Sequence, residues 1–142
     1  MKFGLLMLAL CAALPAVGRC EAFPPRLYQI TTETGLPHLE ENLRYATTQS
    51  KACLGARQLA SAFPILQHEA LKGCRLDHQL DQGATTTFAL TCSGGNETTG
   101  SATWRIDDRA IYGTLDVRLG GKNMTFYQRI SGRSVGVCDP GD

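Results

Sequence analysis

Between Ala110 and Leu119 apolar and polar residues alternate at every step. Ile111, Gly113, Leu115, Val117 and Leu119 fall on one side, and Tyr112, Thr114, Asp116 and Arg118 on the other. A period of two marks a strand buried on one face only. Gly120-Gly121 follows and reads as a two-residue hairpin turn, because glycine adopts positive φ without steric cost. Pairing across that turn sets Val117 opposite Met124, Leu115 opposite Phe126 and Ile111 opposite Ile130. Upstream, Asp108-Arg109 fits a second tight turn, which sets Ile106 opposite Ile111, Trp104 opposite Gly113 and Ala102 opposite Leu115. Both pairings gather the apolar residues on one face, and a slip of one residue would invert every side chain. The other face carries Thr103, Arg105, Asp116, Arg118, Tyr127 and Arg129. Its basic residues alternate with acids and threonines, the pattern of a solvated surface.

The rest of the chain can be laid against this meander. Leu27–Thr34 and Asn42–Cys53 have strand composition and are separated by the breaker Gly35-Leu36-Pro37. Gly55–Phe63 is rich in helix formers, with Leu59 and Phe63 four apart. Pro64 ends it, and Ile65–Leu71 suggests a further turn of helix. Cys74–Leu80 and Thr86–Cys92 alternate again. Folding about Gly83 sets Leu76 opposite Leu90, His78 opposite Phe88 and Cys74 opposite Cys92. The chain length suits one domain, with no repeat and no low-complexity linker.

The N-terminus reads as an export signal. Lys2 is followed by an apolar run from Leu5 to Leu14 and then by small residues up to Ala22. Residues 1–22 are therefore assigned to a signal peptide and 23–142 to a single β domain. The leader is too short to span a membrane, and no later apolar run is long enough. Arg19 stands where a lipid-anchoring signal before Cys20 needs a small residue, so a soluble periplasmic product is expected. Removing Lys2, Arg19 and Glu21 with the leader leaves twelve basic and twelve acidic residues. A neutral chain without a basic block is a poor match for nucleic acid.

Cys53, Cys74, Cys92 and Cys138 remain after the leader is removed. An even number in a small exported domain implies disulfides, and three pairings are open. The hairpin register chooses among them. Directly opposed strand residues have Cα atoms about 4.5 Å apart, within reach of a disulfide. That favours Cys74–Cys92 and leaves Cys53–Cys138.

Several local sequences coincide with these elements: Lys51-Ala52-Cys53-Leu54, Gly73-Cys74-Arg75-Leu76, Leu90-Thr91-Cys92-Ser93-Gly94-Gly95, and the close Ser131-Gly132-Arg133-Ser134-Val135-Gly136-Val137-Cys138. With the leader and the Gly- and Thr-rich meander, the mature chain resembles the small exported proteobacterial proteins catalogued as domain of unknown function 3617. This chain has Leu27-Tyr28 where many relatives carry Trp, and Gly55-Ala56 where they often carry Thr-Pro. The resemblance implies a location and no activity, and it brings no catalytic residues.

Chemistry-bearing patterns are sparse. His38, His68 and His78 lack metal-ligand spacing, and no glycine loop suits a phosphate, so neither metal nor cofactor is expected. No Gly-x-Ser-x-Gly is present, and Ser93 and Ser131 lie in glycine-flanked turns. The Glu40-Glu41 and Asp107-Asp108 neighbours point in different directions and make poor acid–base pairs. Trp104 facing Gly113, with Gln128 beyond, suggests room on the apolar face for a small apolar ligand. That cup would be completed by His78, Phe88 and Phe126. The alternative is a sheet bend in which Trp104 covers the glycine. The expected fold is thus mainly β: about seven antiparallel strands, strongly curved and barrel-like, with one short helix across the concave face. The expected function is that of a non-catalytic periplasmic binder of a small apolar ligand or of an envelope protein. The rivals are a structural or protein-interaction module, which an exposed sheet edge would favour, and an envelope hydrolase.

Overall fold

The computed structural model describes residues 23–35, 45–94, 97–121 and 124–141. The leader, Cys11, Cys20, His38 and Glu40-Glu41 lie outside them. Seven strands form one sheet: β1 Arg26–Gly35, β2 Tyr45–Leu54, β3 Cys74–Gln82, β4 Thr85–Cys92, β5 Thr99–Ile106, β6 Ala110–Leu119 and β7 Met124–Gly136. Their order is β2-β1-β7-β6-β5-β4-β3, and every neighbouring pair is antiparallel. Strands β3 to β7 make a continuous meander, and the β1–β2 hairpin is added to it through β7.

The sheet is open. β2 and β3 are its two edges and do not pair with each other, which corrects the barrel-like, strongly curved sheet expected from the sequence. The apolar face is buried by a strap instead of by closure. The chain leaves β2 at one edge and returns as β3 at the other, and the residues between cross the apolar face. The expected single helix is three short 3₁₀ turns: Ala56–Ser61, Pro64–Gln67 and Glu69–Leu71. Pro64 supplies no N–H, and His68 is extended (φ −72°, ψ 144°), so no stretch is long enough for an α-helical ladder. Leu59, Phe63 and Leu71 point down from the strap and are buried.

Beneath the strap, Tyr28, Ile30, Phe88, Trp104, Ile111, Leu115, Phe126 and Ile130 form the sheet's half of the core. The β5–β6 register is the expected one: Trp104 pairs with Gly113, Ala102 with Leu115 and Ile106 with Ile111. The β6–β7 register differs by two residues. Leu119 pairs with Met124, Val117 with Phe126 and Leu115 with Gln128. The strands rejoin later than a two-residue turn at Gly120-Gly121 allows. A shift of two keeps every side chain on its face, so alternation alone could not reveal it.

Both disulfides have the expected partners. Cys74–Cys92 links paired residues of β3 and β4, with Cα atoms 3.9 Å apart. Cys53–Cys138 ties the end of β2 to the segment after β7 across 85 residues of sequence.

Candidate functional site

The residues of the expected apolar cup divide into two groups. Trp104, Gly113, Gln128, Phe88 and Phe126 lie on the covered face, and all except the glycine carry buried side chains. The room beside Gly113 is taken by the indole itself. A Cβ built on Gly113 would come within 2.7 Å of Trp104 Cη2, so the tryptophan lies directly on the glycine backbone. Its other contacts come from the strap: the Phe63 ring centroid is 5.0 Å away, and the indole N–H donates to the Leu59 carbonyl at 3.1 Å. Gln128 is equally committed. Its Oε1 accepts from the Ile65 N–H at 3.2 Å, and its Nε2 donates to Thr34 Oγ1 at 2.8 Å. These side chains fasten the strap to the sheet.

His78 is not with them. The β3–β4 register shifts between Asp77 and Leu80, and His78 adopts φ 52° in the resulting bulge. The bulge breaks the alternation that had aligned His78 with Phe88. Its side chain is 70% exposed, with Nδ1 3.6 Å from Asp77 Oδ1. Phe88 pairs with Ala102 on the other neighbouring strand. Cys92, on the neighbouring strand, is in a disulfide and offers His78 no free thiol. Ser93 Oγ donates to the Gly73 carbonyl, consistent with a turn role. No trio of His, Cys, Asp or Glu among the described residues could hold a metal ion.

Two features remain that offer a surface to something else. The first is the β2 edge. It pairs with β1 without interruption from Arg26–Leu54 to Gly35–Tyr45, so it is free of bulges. Ala46 to Lys51 are all exposed, contain no proline and carry one charge, Lys51. The opposite edge is guarded. β3 has the bulge at His78 and the charges of Arg75, Asp77 and Asp81, devices that stop another strand from adding. Sequence reasoning could not distinguish the two edges, because neither strand order nor edge position is encoded locally.

The second feature is the polar face. A depression of about 510 Å³ on it is lined by Gln29, Thr31, Gln49, Tyr112, Ser131 and Arg133, among others. A neighbouring one of about 280 Å³ shares Thr31, Tyr112 and Ser131 and adds Glu33 and Arg129.

Comparison with known families matches residues 24–138 to the one described as Protein of unknown function (DUF3617). The chain belongs to that family. No curated protein and no solved structure matches it. The DUF3617 match runs from just before β1 to Cys138, so it takes in all seven strands, the strap and both disulfides. None of the described helices is long and apolar enough to cross a membrane.

Proposed function

We propose that this DUF3617 chain is a non-catalytic interaction module of the cell envelope that takes up a strand of a partner protein along β2. The observation that carries this reading is the contrast between the two edges. Among the described residues no strand pairs with the outer side of β2, which leaves a long bulge-free edge, and main-chain pairing to such an edge is a general mode of recognition. The position of Trp104 supports it in turn, because its ring takes the room beside Gly113 where the sequence suggested an apolar ligand. Export to the periplasm is part of the proposal. The leader sequence and the two disulfides support it, since such bonds persist in oxidising compartments. The non-catalytic part is supported by the Cys74–Cys92 disulfide, which removes the thiol that a Cys–His pair on that hairpin would use.

The test uses adjacent prolines. Neighbouring N–H groups in a strand point to opposite sides, so of Thr48→Pro and Gln49→Pro one blocks the open edge and the other breaks the β1 ladder. Melting identifies which is which. A photo-cross-linker at Ser50, used in intact cells, should give a discrete adduct that the well-folded proline variant loses. A cross-linker at Thr103 in the sheet centre should give none. Adducts from both positions, or an adduct insensitive to the edge proline, would refute the proposal.

A further inference from the structure

The polar face carries a second set of features, depressions to which β2 contributes only Gln49. Along β7 three depressions follow one another. Arg133, Ser131 and Arg129 border the first two, and Tyr127 and Thr125 border the third, which also includes Asp116 and Arg118. The first two share Thr31, Tyr112 and Ser131 and make one trough from Arg133 to Arg129, four strand steps or roughly 13 Å, while the third is separate from them. The side chains between the arginines are hydroxyls and amides, from Thr31, Ser131, Gln29 and Gln49. The one large ring shared by the first two depressions is Tyr112, 42% exposed.

Charge is segregated onto this face. The mature chain is neutral, yet the outward side chains of β2, β1, β7, β6 and β5 comprise Lys51, Arg105, Arg118, Arg129 and Arg133 against Glu33 and Asp116. Glu33 is engaged, since it accepts the Tyr127 hydroxyl at 3.0 Å. Arg129 is held over the Tyr127 ring at 4.5 Å and Arg105 over the Tyr112 ring at 4.7 Å. Aromatic support of this kind orients a guanidinium while leaving its N–H groups available to a carboxylate.

We infer that the trough along β7 binds an acidic polysaccharide, with its carboxylates on Arg129 and Arg133 and a sugar ring against Tyr112. Carboxylates repeated along a chain match arginines four residues apart on one strand face, about 13 Å. Sugar hydroxyls match a floor of hydroxyls and amides, each of which both donates and accepts. An acyl chain would desolvate that floor without pairing it. An acidic polypeptide would also satisfy the arginines, and the poly-glutamate arm of the test below distinguishes it from a sugar.

Affinity electrophoresis with three polymers tests this: polygalacturonate (acidic sugar), dextran (neutral sugar) and poly-glutamate (acidic, without sugar). Polygalacturonate should retard the protein, and the other two should not. Arg129→Gln/Arg133→Gln should weaken retention at least about tenfold, as expected for losing two charge-assisted contacts. Tyr112→Ala should weaken it several-fold. All three residues point outward, so melting of these variants should match the parent. Of Ala46→Pro and Thr47→Pro, neither of which lines the trough, the well-folded one blocks the same edge and should bind polygalacturonate normally, which separates failure of this site from failure of the edge. Absence of polygalacturonate binding, equal binding of dextran or poly-glutamate, or full retention by the arginine variant would overturn the inference.

Discussion

Trp104 on β5 donates its indole N–H to the backbone carbonyl of Leu59 in the strap, 3.1 Å away and 45 residues distant in sequence. The same ring lies on Gly113 of the neighbouring strand. One side chain thus sets both the height of the strap and the packing of the sheet beneath it. Trp104→Phe should destabilise by about 1–3 kcal/mol, because the buried Leu59 carbonyl keeps only the Ala62 N–H at 3.5 Å. Gly113→Ala should cost roughly 1–3 kcal/mol by forcing a methyl group into the ring. The two effects should not add. In the Trp104→Phe background the smaller ring withdraws, and the alanine should cost measurably less. Urea unfolding of the four proteins in the cycle measures this coupling.

Gln128 makes the second fastening. Gln128→Leu keeps the volume but leaves the Ile65 N–H without its side-chain acceptor and Thr34 without its amide donor. The expected loss is about 1–3 kcal/mol. Amide exchange should locate it in the strap, with Ile65 and its neighbours opening first while β6 and β7 stay protected.

The disulfides should differ in weight. Cys53–Cys138 closes 85 residues and Cys74–Cys92 closes 18. On a chain-entropy basis the first should contribute roughly 4–5 kcal/mol and the second about 3. The shorter loop is also held by the β3–β4 ladder. Melting of Cys53→Ala/Cys138→Ala against Cys74→Ala/Cys92→Ala should show the larger loss for the long-range pair.

Stability should fall at both ends of the pH scale, through two different groups. Burial raises the Tyr28 phenol above its ordinary range, with Arg26 pulling weakly the other way. The fold therefore prefers the neutral phenol. Its contribution is complete below the unfolded tyrosine's pKa and is lost as pH rises through the higher folded one. Asp81 has the opposite sign. Hydrogen bonds from Gln79 and Thr86 hold its carboxyl below the usual range. Its contribution is complete above the unfolded pKa and is lost as pH falls through the lower folded one. Tyr28→Phe should flatten the alkaline limb of a melting-versus-pH curve, and Asp81→Asn the acid limb.

The register of β5 and β6, the two faces of the meander and the Cys74–Cys92 pair were legible in the sequence, because each rests on an alternation or a tight turn, and Cys53–Cys138 followed by elimination. What was not legible has specific physical causes. The two-residue shift between β6 and β7 preserves the faces, so hydrophobic pattern is blind to it. The bulge that exposes His78 costs one local pairing and leaves no composition signal. Openness of the sheet depends on how the strap covers Trp104, a relationship between residues far apart in the chain. The candidate sites inherit that difficulty. An unguarded edge and a trough along β7 exist only once strand order is known.

Amide hydrogen exchange of the purified protein, resolved along β2, tests the central claim that this edge is open. Every second amide between Ala46 and Cys53 should exchange at close to solvent rates, alternating with protected amides that face β1. The amides of β6 and β7 should be slow throughout. Uniform protection along β2 would mean that the edge is covered in the free protein, by closure of the sheet or by self-association, and would contradict the account.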